Sequence, residues 1–148
     1  MKSSKWIWMD DSLCENTYVE FAVPLKYDTG KAEIDISVDT EYAIYINGEY
    51  VASGQYADFP WYKIYHTVDI TKCLNKGEND IRIVVWYMGD LNFCHYVNRP
   101  GLRFEIKIDG QTVCKEVYFA PSAHMIGREY AVLLSARLLE REREHAVD

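Results

Sequence analysis

The side chains with the most distinctive chemistry fall in two stretches. The first is Gly54-Gln55-Tyr56-Ala57-Asp58-Phe59-Pro60-Trp61-Tyr62-Lys63. It is crowded with aromatic rings, yet its glycine and proline place it in a loop. The second, Trp86-Tyr87-Met88-Gly89-Asp90-Leu91-Asn92-Phe93-Cys94-His95-Tyr96, leaves a strongly apolar segment with a similar mixture. Flat rings stack on C–H faces such as those of sugars, and Asp, Asn, Gln or Arg hydrogen-bond to polar edges. Asp58, Trp61, Tyr62, Asp90, Asn92 and Arg99 supply that combination and are the candidate binding residues. Two other readings compete. In one, Phe59, Trp61 and Trp86 cover one end of a hydrophobic core. In the other, the aromatics pack against a neighbouring domain or a second copy.

Signals for catalysis are weaker. Glycoside hydrolysis needs two carboxyl groups about 5–9.5 Å apart across a sugar. Asp10 with Asp11, Asp39 with Glu41, and Asp58 with Asp90 are the pairs to consider. Adjacent or strand-edge acids are usually only solvated charges, so no catalytic residue is assigned. His66, His95, His124 and His145 show no metal-ligand spacing, and His66 and His95 sit in aromatic surroundings that suit a packed or hydrogen-bonded role. Calcium would find Asp and Asn oxygens but no EF-hand spacing. Neither a metal nor a cofactor is expected. No nucleophile elbow, phosphate-binding loop or dinucleotide fingerprint is present. Cys14, Cys73, Cys94 and Cys114 form no C-x-x-C pair, and four reduced thiols are the expectation.

The framework for these loops follows from composition and period. The chain has 148 residues, enough for one domain with one ordinary core. It is 49% hydrophobic and 14% aromatic, with twelve tyrosines. A net charge of −7 argues against nucleic acid and anionic membrane as partners, since both select basic surfaces. No apolar run reaches membrane-spanning length. The N-terminus starts basic, but Asp10 and Asp11 arrive before an apolar region can form. It does not read as a signal peptide, and the expected location is cytoplasmic.

Period-two alternation dominates. Segments beginning at Thr17, Ala32, Tyr42, Glu49, Ile64, Asp80, Leu102 and Thr112 read as about eight strands, the last running from Thr112 to Phe119. Ala32, Ile34, Ile36 and Val38 alternate with Glu33, Asp35, Ser37 and Asp39, a strand with one wet face. Asp80 to Met88 is apolar on both faces and therefore belongs in the middle of a sheet. Asn47-Gly48 and Asp109-Gly110 mark tight hairpins, because these residues accept positive φ. Asp69 to Asn79 reads as a turn-like connection. The expected architecture is an all-β, antiparallel two-sheet sandwich of jelly-roll type over residues 1–128, with a helical segment or tail over 129–148.

The order Ala43-Ile44-Tyr45-Ile46-Asn47-Gly48-Glu49-Tyr50-Val51, an aromatic loop, Asp69-Ile70-Thr71, then Leu74-Asn75-Lys76-Gly77-Glu78-Asn79-Asp80-Ile81 resembles the jelly-roll, galactose-binding-like modules of sugar-cleaving enzymes. It is most similar to the N-terminal β-sandwich region of bacterial α-L-rhamnosidases. The core of the resemblance covers about Glu41 to Gly89. Its quoted residues build turns: Asp69 and Thr71 can cap one with side-chain oxygens, and Gly77 lets the chain reverse. The acidic catalytic residues of that family lie in a separate, larger helical barrel, so they have no positions here. The resemblance therefore implies a non-catalytic module that frames or binds carbohydrate, such as a rhamnose-containing glycan, beside other domains of a larger enzyme. A structural or protein-interaction sandwich is the alternative, and an independent small hydrolase a third.

Overall fold

The computed structural model describes residues 4–8, 15–55, 59–91, 96 and 98–114, with the backbone of 118–119 and 125–126. Its strands are β1 (Thr17–Tyr27), β2 (Ala32–Val38), β3 (Glu41–Ile46), β4 (Glu49–Gly54), β5 (His66–Asp69), β6 (Gly77–Tyr87), β7 (Leu102–Ile108), β8 (Gln111–Cys114), β9 (Tyr118–Phe119) and β10 (Met125–Ile126). A 3₁₀ turn spans Thr71–Cys73. The strands form two antiparallel sheets. The larger has the order β10-β1-β6-β3-β4, with β9 also on β1, and the smaller has the order β5-β2-β7-β8.

Alternation decides which side chains face inward. Val19, Phe21, Val23, Ile44, Ile46, Ile81, Ile83 and Val85 of the larger sheet meet Ala32, Ile34, Ile36, Val38, Leu102, Phe104 and Ile106 of the smaller, and all are buried in one core. Each of these side chains larger than alanine contributes roughly 1.5–3 kcal/mol on burial. β6 is flanked by β1 and β3, as its two apolar faces require. On its outer face Val84 is buried, and Trp86 stacks on Tyr18 with centroids 6.0 Å apart. Pro24, which cannot donate to a ladder, lies where β1 is paired only with β6 among the described residues.

The turn residues behave as their chemistry demands. Asn47 (φ 52°) with Gly48 (φ 86°), and Asp109 (φ 49°) with Gly110 (φ 78°), take the paired left-handed conformation of tight hairpins. Asp69 Oδ1 accepts the Thr71 backbone N–H at 3.0 Å, and Ala32 N donates to Thr71 Oγ1 at 2.9 Å.

Two expectations need correction. Thr112 to Phe119 is not one strand: β8 extends the smaller sheet beside β7, whereas β9 pairs with β1 in the larger. Unbroken alternation in sequence does not report a change of sheet. The polar face of β2 is also drier than alternation suggests, with Asp35 only 4% exposed. Its carboxylate accepts from Lys107 Nζ and from Thr67 Oγ1, the latter at 2.6 Å, so charge pairing makes its burial tolerable. The expected tail over 129–148 lies outside the described residues.

Ser4 to Trp8 forms an arm along the start of β7. Ile7 and Leu102 exchange backbone hydrogen bonds of 2.9 Å in both directions. Trp8 then covers the core edge against Phe21 and Tyr87, at centroid distances of 6.1 and 6.3 Å.

Candidate functional site

The site is built on two connections at one end of the sandwich. The β4–β5 connection begins at Gln55 and returns through Ile64. Gln55 is 1% exposed. Its side-chain oxygen accepts the Val38 N–H at 2.9 Å, and its side-chain nitrogen donates to Ile64 O at 3.4 Å. Ser37 Oγ donates to the same carbonyl at 2.6 Å. Lys63 Nζ donates to Asp39 O at 3.4 Å and lies 3.8 Å from the Asp39 carboxylate. Both ends of the loop are thereby tied to β2 and the residue that follows it. Between them, Tyr62 N donates to Phe59 O at 2.9 Å, closing a tight turn with Pro60 and Trp61 at its tip.

The β6–β7 connection is anchored from below. The buried Tyr87 hydroxyl donates to Asn98 O at 2.9 Å. Burial raises the Tyr87 pKa, and the negative charges of Asp39 and Glu15 raise it further, so the phenol stays neutral and keeps its proton for this bond. Met88 N donates to Thr40 Oγ1 at 3.1 Å, and Asp39 N to Gly101 O at 3.2 Å.

The two connections bring three rings together. Phe59 and Trp61 stack with centroids 5.0 Å apart and planes 17° apart. Tyr96 sits tilted against both, at 5.5 Å from Phe59 and 5.8 Å from Trp61. The cluster faces outward: Trp61 is 74% exposed, Tyr62 69%, Tyr96 50% and Phe59 45%. Large rings normally leave water when they can, so a preformed, solvent-facing group of them is a candidate interaction surface. Trp61 and Phe59 are therefore not a lid on the core. Trp86 is not one either: it lies on the outer face of β6 and donates from Nε1 to Asn16 Oδ1 at 3.0 Å.

Of the candidate binding residues, Trp61 and Tyr62 share the tight turn. Asp90 is exposed at the start of the β6–β7 connection, where Oδ1 accepts the Leu91 N–H at 2.7 Å. Arg99 is exposed further along the same connection. Asp58 and Asn92 lie outside the described residues. Tyr96 and Phe59 were not among the candidates. Tyr96 has no local signal for a position beside Trp61, because a contact across 35 residues of chain leaves no periodic trace.

Of the groups considered for catalysis, Asp10, Asp11 and Asp58 lie outside the described residues. Asp39 is 2% exposed and held against Lys63, while Glu41 is exposed on β3. His66 Nδ1 lies 3.2 Å from the Tyr42 hydroxyl, the hydrogen-bonded role its surroundings suggested. Cys73 and Cys114 form no disulfide, and Cys14 and Cys94 lie outside the described residues. Among the described residues, no group of three or more His, Cys, Asp or Glu side chains is placed to hold a metal ion.

Comparison with known proteins places this architecture. Residues 28–121 match the family model described as the alpha-L-rhamnosidase N-terminal domain. The chain superposes on the GH78 rhamnosidase of Bacillus sp. GL1 with a TM-score of 0.70 and 30% identity, covering 76% of this chain and 12% of that one. The α-L-rhamnosidase of Streptomyces avermitilis, solved with L-rhamnose, gives a TM-score of 0.54 at 14% identity, covering 86% and 13%. The enzyme of Aspergillus terreus gives 0.51 at 22% identity, covering 77% and 15%. These last two likenesses concern the fold alone. The chain thus spans between 12% and 15% of the length of these enzymes. No curated protein matches it. With the matched segment running from just after β1 through β9, and the two-sheet architecture shared, the chain belongs to the α-L-rhamnosidase N-terminal domain family.

Proposed function

We propose that this chain is a non-catalytic module of an α-L-rhamnosidase-like glycoside hydrolase, and that it frames or binds carbohydrate through the Phe59–Trp61–Tyr96 surface. The observation that carries the reading is the exposure of Trp61 (74%) on a loop whose two ends are tied down. A preformed ring platform needs little ordering when a sugar stacks on it, which reduces the cost of binding. Tyr62, Asp90 and Arg99 would contribute ring area and polar edges, together with Asp58 and Asn92. The buried setting of Asp39 favours a structural carboxylate over a catalytic one.

The test pairs glycan titration with turnover assays on the purified chain. Binding that Trp61→Ala abolishes, with no product from aryl rhamnosides or aryl galactosides, supports the proposal. Turnover lost on changing a single Asp or Glu to Ala would overturn its non-catalytic part. The same rings also suit burial against a neighbouring domain, a reading favoured by the small share of each rhamnosidase that the chain spans. Protection of Trp61 from solvent quenchers in a longer rhamnosidase, without glycan binding, would select it.

A further inference from the structure

Phe59 and Trp61 belong to the β4–β5 connection and Tyr96 to the β6–β7 connection, so the ring contacts of 5.5 and 5.8 Å bridge two separate pieces of chain. The strands that carry these connections share no ladder with each other. β3 separates β4 from β6 in the larger sheet, and β2 separates β5 from β7 in the smaller. Between them lies the step from β2 to β3, which is Asp39 and Thr40.

The run Ser37-Val38-Asp39-Thr40 is buried throughout, and it touches both ends of both connections. Ser37 holds Ile64, Val38 holds Gln55, Asp39 holds Lys63 and Gly101, and Thr40 holds Met88. Within the run a polar chain crosses from one connection to the other. Met88 N donates to Thr40 Oγ1 at 3.1 Å, Thr40 Oγ1 donates to Asp39 Oδ2 at 3.2 Å, and Lys63 Nζ stands 3.8 Å from Asp39 Oδ1. A hydroxyl has one proton and an ionised carboxylate only accepts, so Thr40 gives its proton to Asp39 and turns a lone pair to Met88. Asp39 is 2% exposed and Thr40 8%, so water competes little for these groups. Contacts between half-exposed rings are modest, whereas a buried, charge-assisted chain is strong and directional.

We infer that Asp39 and Thr40 are positioning residues for the aromatic surface: they set where the Phe59–Trp61 turn stands relative to Tyr96, and so hold the three rings in one cluster. Their value for binding rests on the carbohydrate reading above, but the placement of the rings requires no glycan.

The experiment is fluorine NMR of the whole chain carrying fluorotryptophan, with its four resonances assigned by single Trp→Phe changes. Tyr96→Ala should shift the Trp61 resonance, and that shift measures the loss of the bridging ring. We expect Thr40→Val and Lys63→Met each to reproduce about half or more of it while the Trp8 resonance keeps its folded position. Neither change should add to the shift when Tyr96 is already alanine. Thr40→Ser, which retains the hydroxyl, should keep the parent spectrum. A Trp61 resonance unmoved by Thr40→Val in a folded chain overturns the inference. So does a shift that Thr40→Ser shares in full, one that persists undiminished beside Tyr96→Ala, or a Tyr96→Ala change that itself leaves Trp61 unmoved. If Thr40→Val does not fold, Lys63→Met, whose parent side chain is 17% exposed, decides by the same criteria. Glycan titration of the parent chain tests the binding reading separately, and its failure would leave the ring placement to be judged from the spectra.

Discussion

The side-chain nitrogen of Asn47 donates to Oδ1 of Asn79 at 2.9 Å, joining the β3–β4 hairpin turn to the entry of β6. Asn79 is 3% exposed. Its amide also donates to Asn75 O at 2.7 Å and Gly77 O at 3.1 Å, and its Oδ1 accepts Asn75 N at 2.8 Å. Asn47 in turn accepts Asp80 N through Oδ1 at 2.9 Å and donates its backbone N–H to Asp80 O at 2.8 Å. Two turns distant in sequence are thus fixed by one pair of amides.

Asn79→Ala should destabilise the chain by about 2–4 kcal/mol, because it removes four part-buried hydrogen bonds at once. Asn79→Asp keeps the two acceptor contacts but loses the donor ones, and it should fall between. Urea denaturation followed by tryptophan fluorescence measures both. An alanine variant within 0.5 kcal/mol of the parent, roughly the scatter of neutral surface changes, would contradict the account.

This pair also shows how much of the molecule could be read from sequence. Asn47-Gly48, Asp69, Thr71 and Gly77 act through local dihedral preference and short-range hydrogen bonds, so their turns were legible, as was the central position of β6. The amide link between Asn47 and Asn79 was not, since nothing local to either residue specifies the other. The same limit applies at the candidate site. Trp61 and Tyr62 announce themselves by lying in a loop that ought to be polar. Tyr96 joins them only through tertiary structure. Gln55 and Lys63, which pin the loop, resemble ordinary polar residues until burial is known.

Lys107 should matter more than a surface lysine. Its ammonium reaches Asp35, which is 4% exposed, and lies 4.0 Å from Glu105, which is 3% exposed. Lys107→Met should cost about 1–3 kcal/mol at neutral pH, below the figure for a fully buried pair, because Lys107 is partly solvated and Thr67 still serves Asp35. Adding Asp35→Asn should recover part of the loss, as a double-mutant cycle would show. The hydrogen bond to Asp35 raises the Lys107 pKa above its ordinary value, an effect opposed by desolvation and reinforced by the carboxylates of Asp35 and Glu105. The lysine's contribution is therefore full below the unfolded-state value of about 10.5 and is lost as pH rises through the higher folded value. Above that window the parent and the Lys107→Met variant should converge in stability.

Asp69 gives the opposite sign at acid pH. Hydrogen bonds from the Thr71 side chain and backbone hold its pKa below the ordinary carboxylate value, with help from Lys31 and Lys72. Its contribution is present above the unfolded-state value, about 3.9, and is lost as pH falls through the lower folded value. Carboxyl-carbon NMR titration should find Asp69 ionising below a reference aspartate, and Thr71→Val should move it back upward. An unchanged midpoint in that variant would remove Thr71 as the cause.

Two tryptophans separate packing from presentation. Trp8 is partly buried and packs against Phe21 and Tyr87 at the core edge. Trp61 is 74% exposed and packs on two other solvent-facing rings, Phe59 and Tyr96. Truncating a large core aromatic costs about 3–5 kcal/mol, the larger part from lost burial and the cavity left behind. Trp8→Ala should fall somewhat below that range, at about 2–3 kcal/mol, because part of the ring already faces water. Trp61→Ala leaves no cavity in the sandwich and removes only ring–ring contact worth about 0.5–1.5 kcal/mol per pair. Much of that is regained when Phe59 and Tyr96 repack on each other, so its stability loss should stay under about 1 kcal/mol. For a chain of this length the first change lowers the melting temperature by roughly 5–10 °C and the second by less than about 4 °C. Calorimetric melting of the two variants side by side measures both shifts. If Trp61→Ala proved as costly as Trp8→Ala, the Phe59–Trp61–Tyr96 cluster would be part of the folded core, and its rings would no longer be available to a ligand.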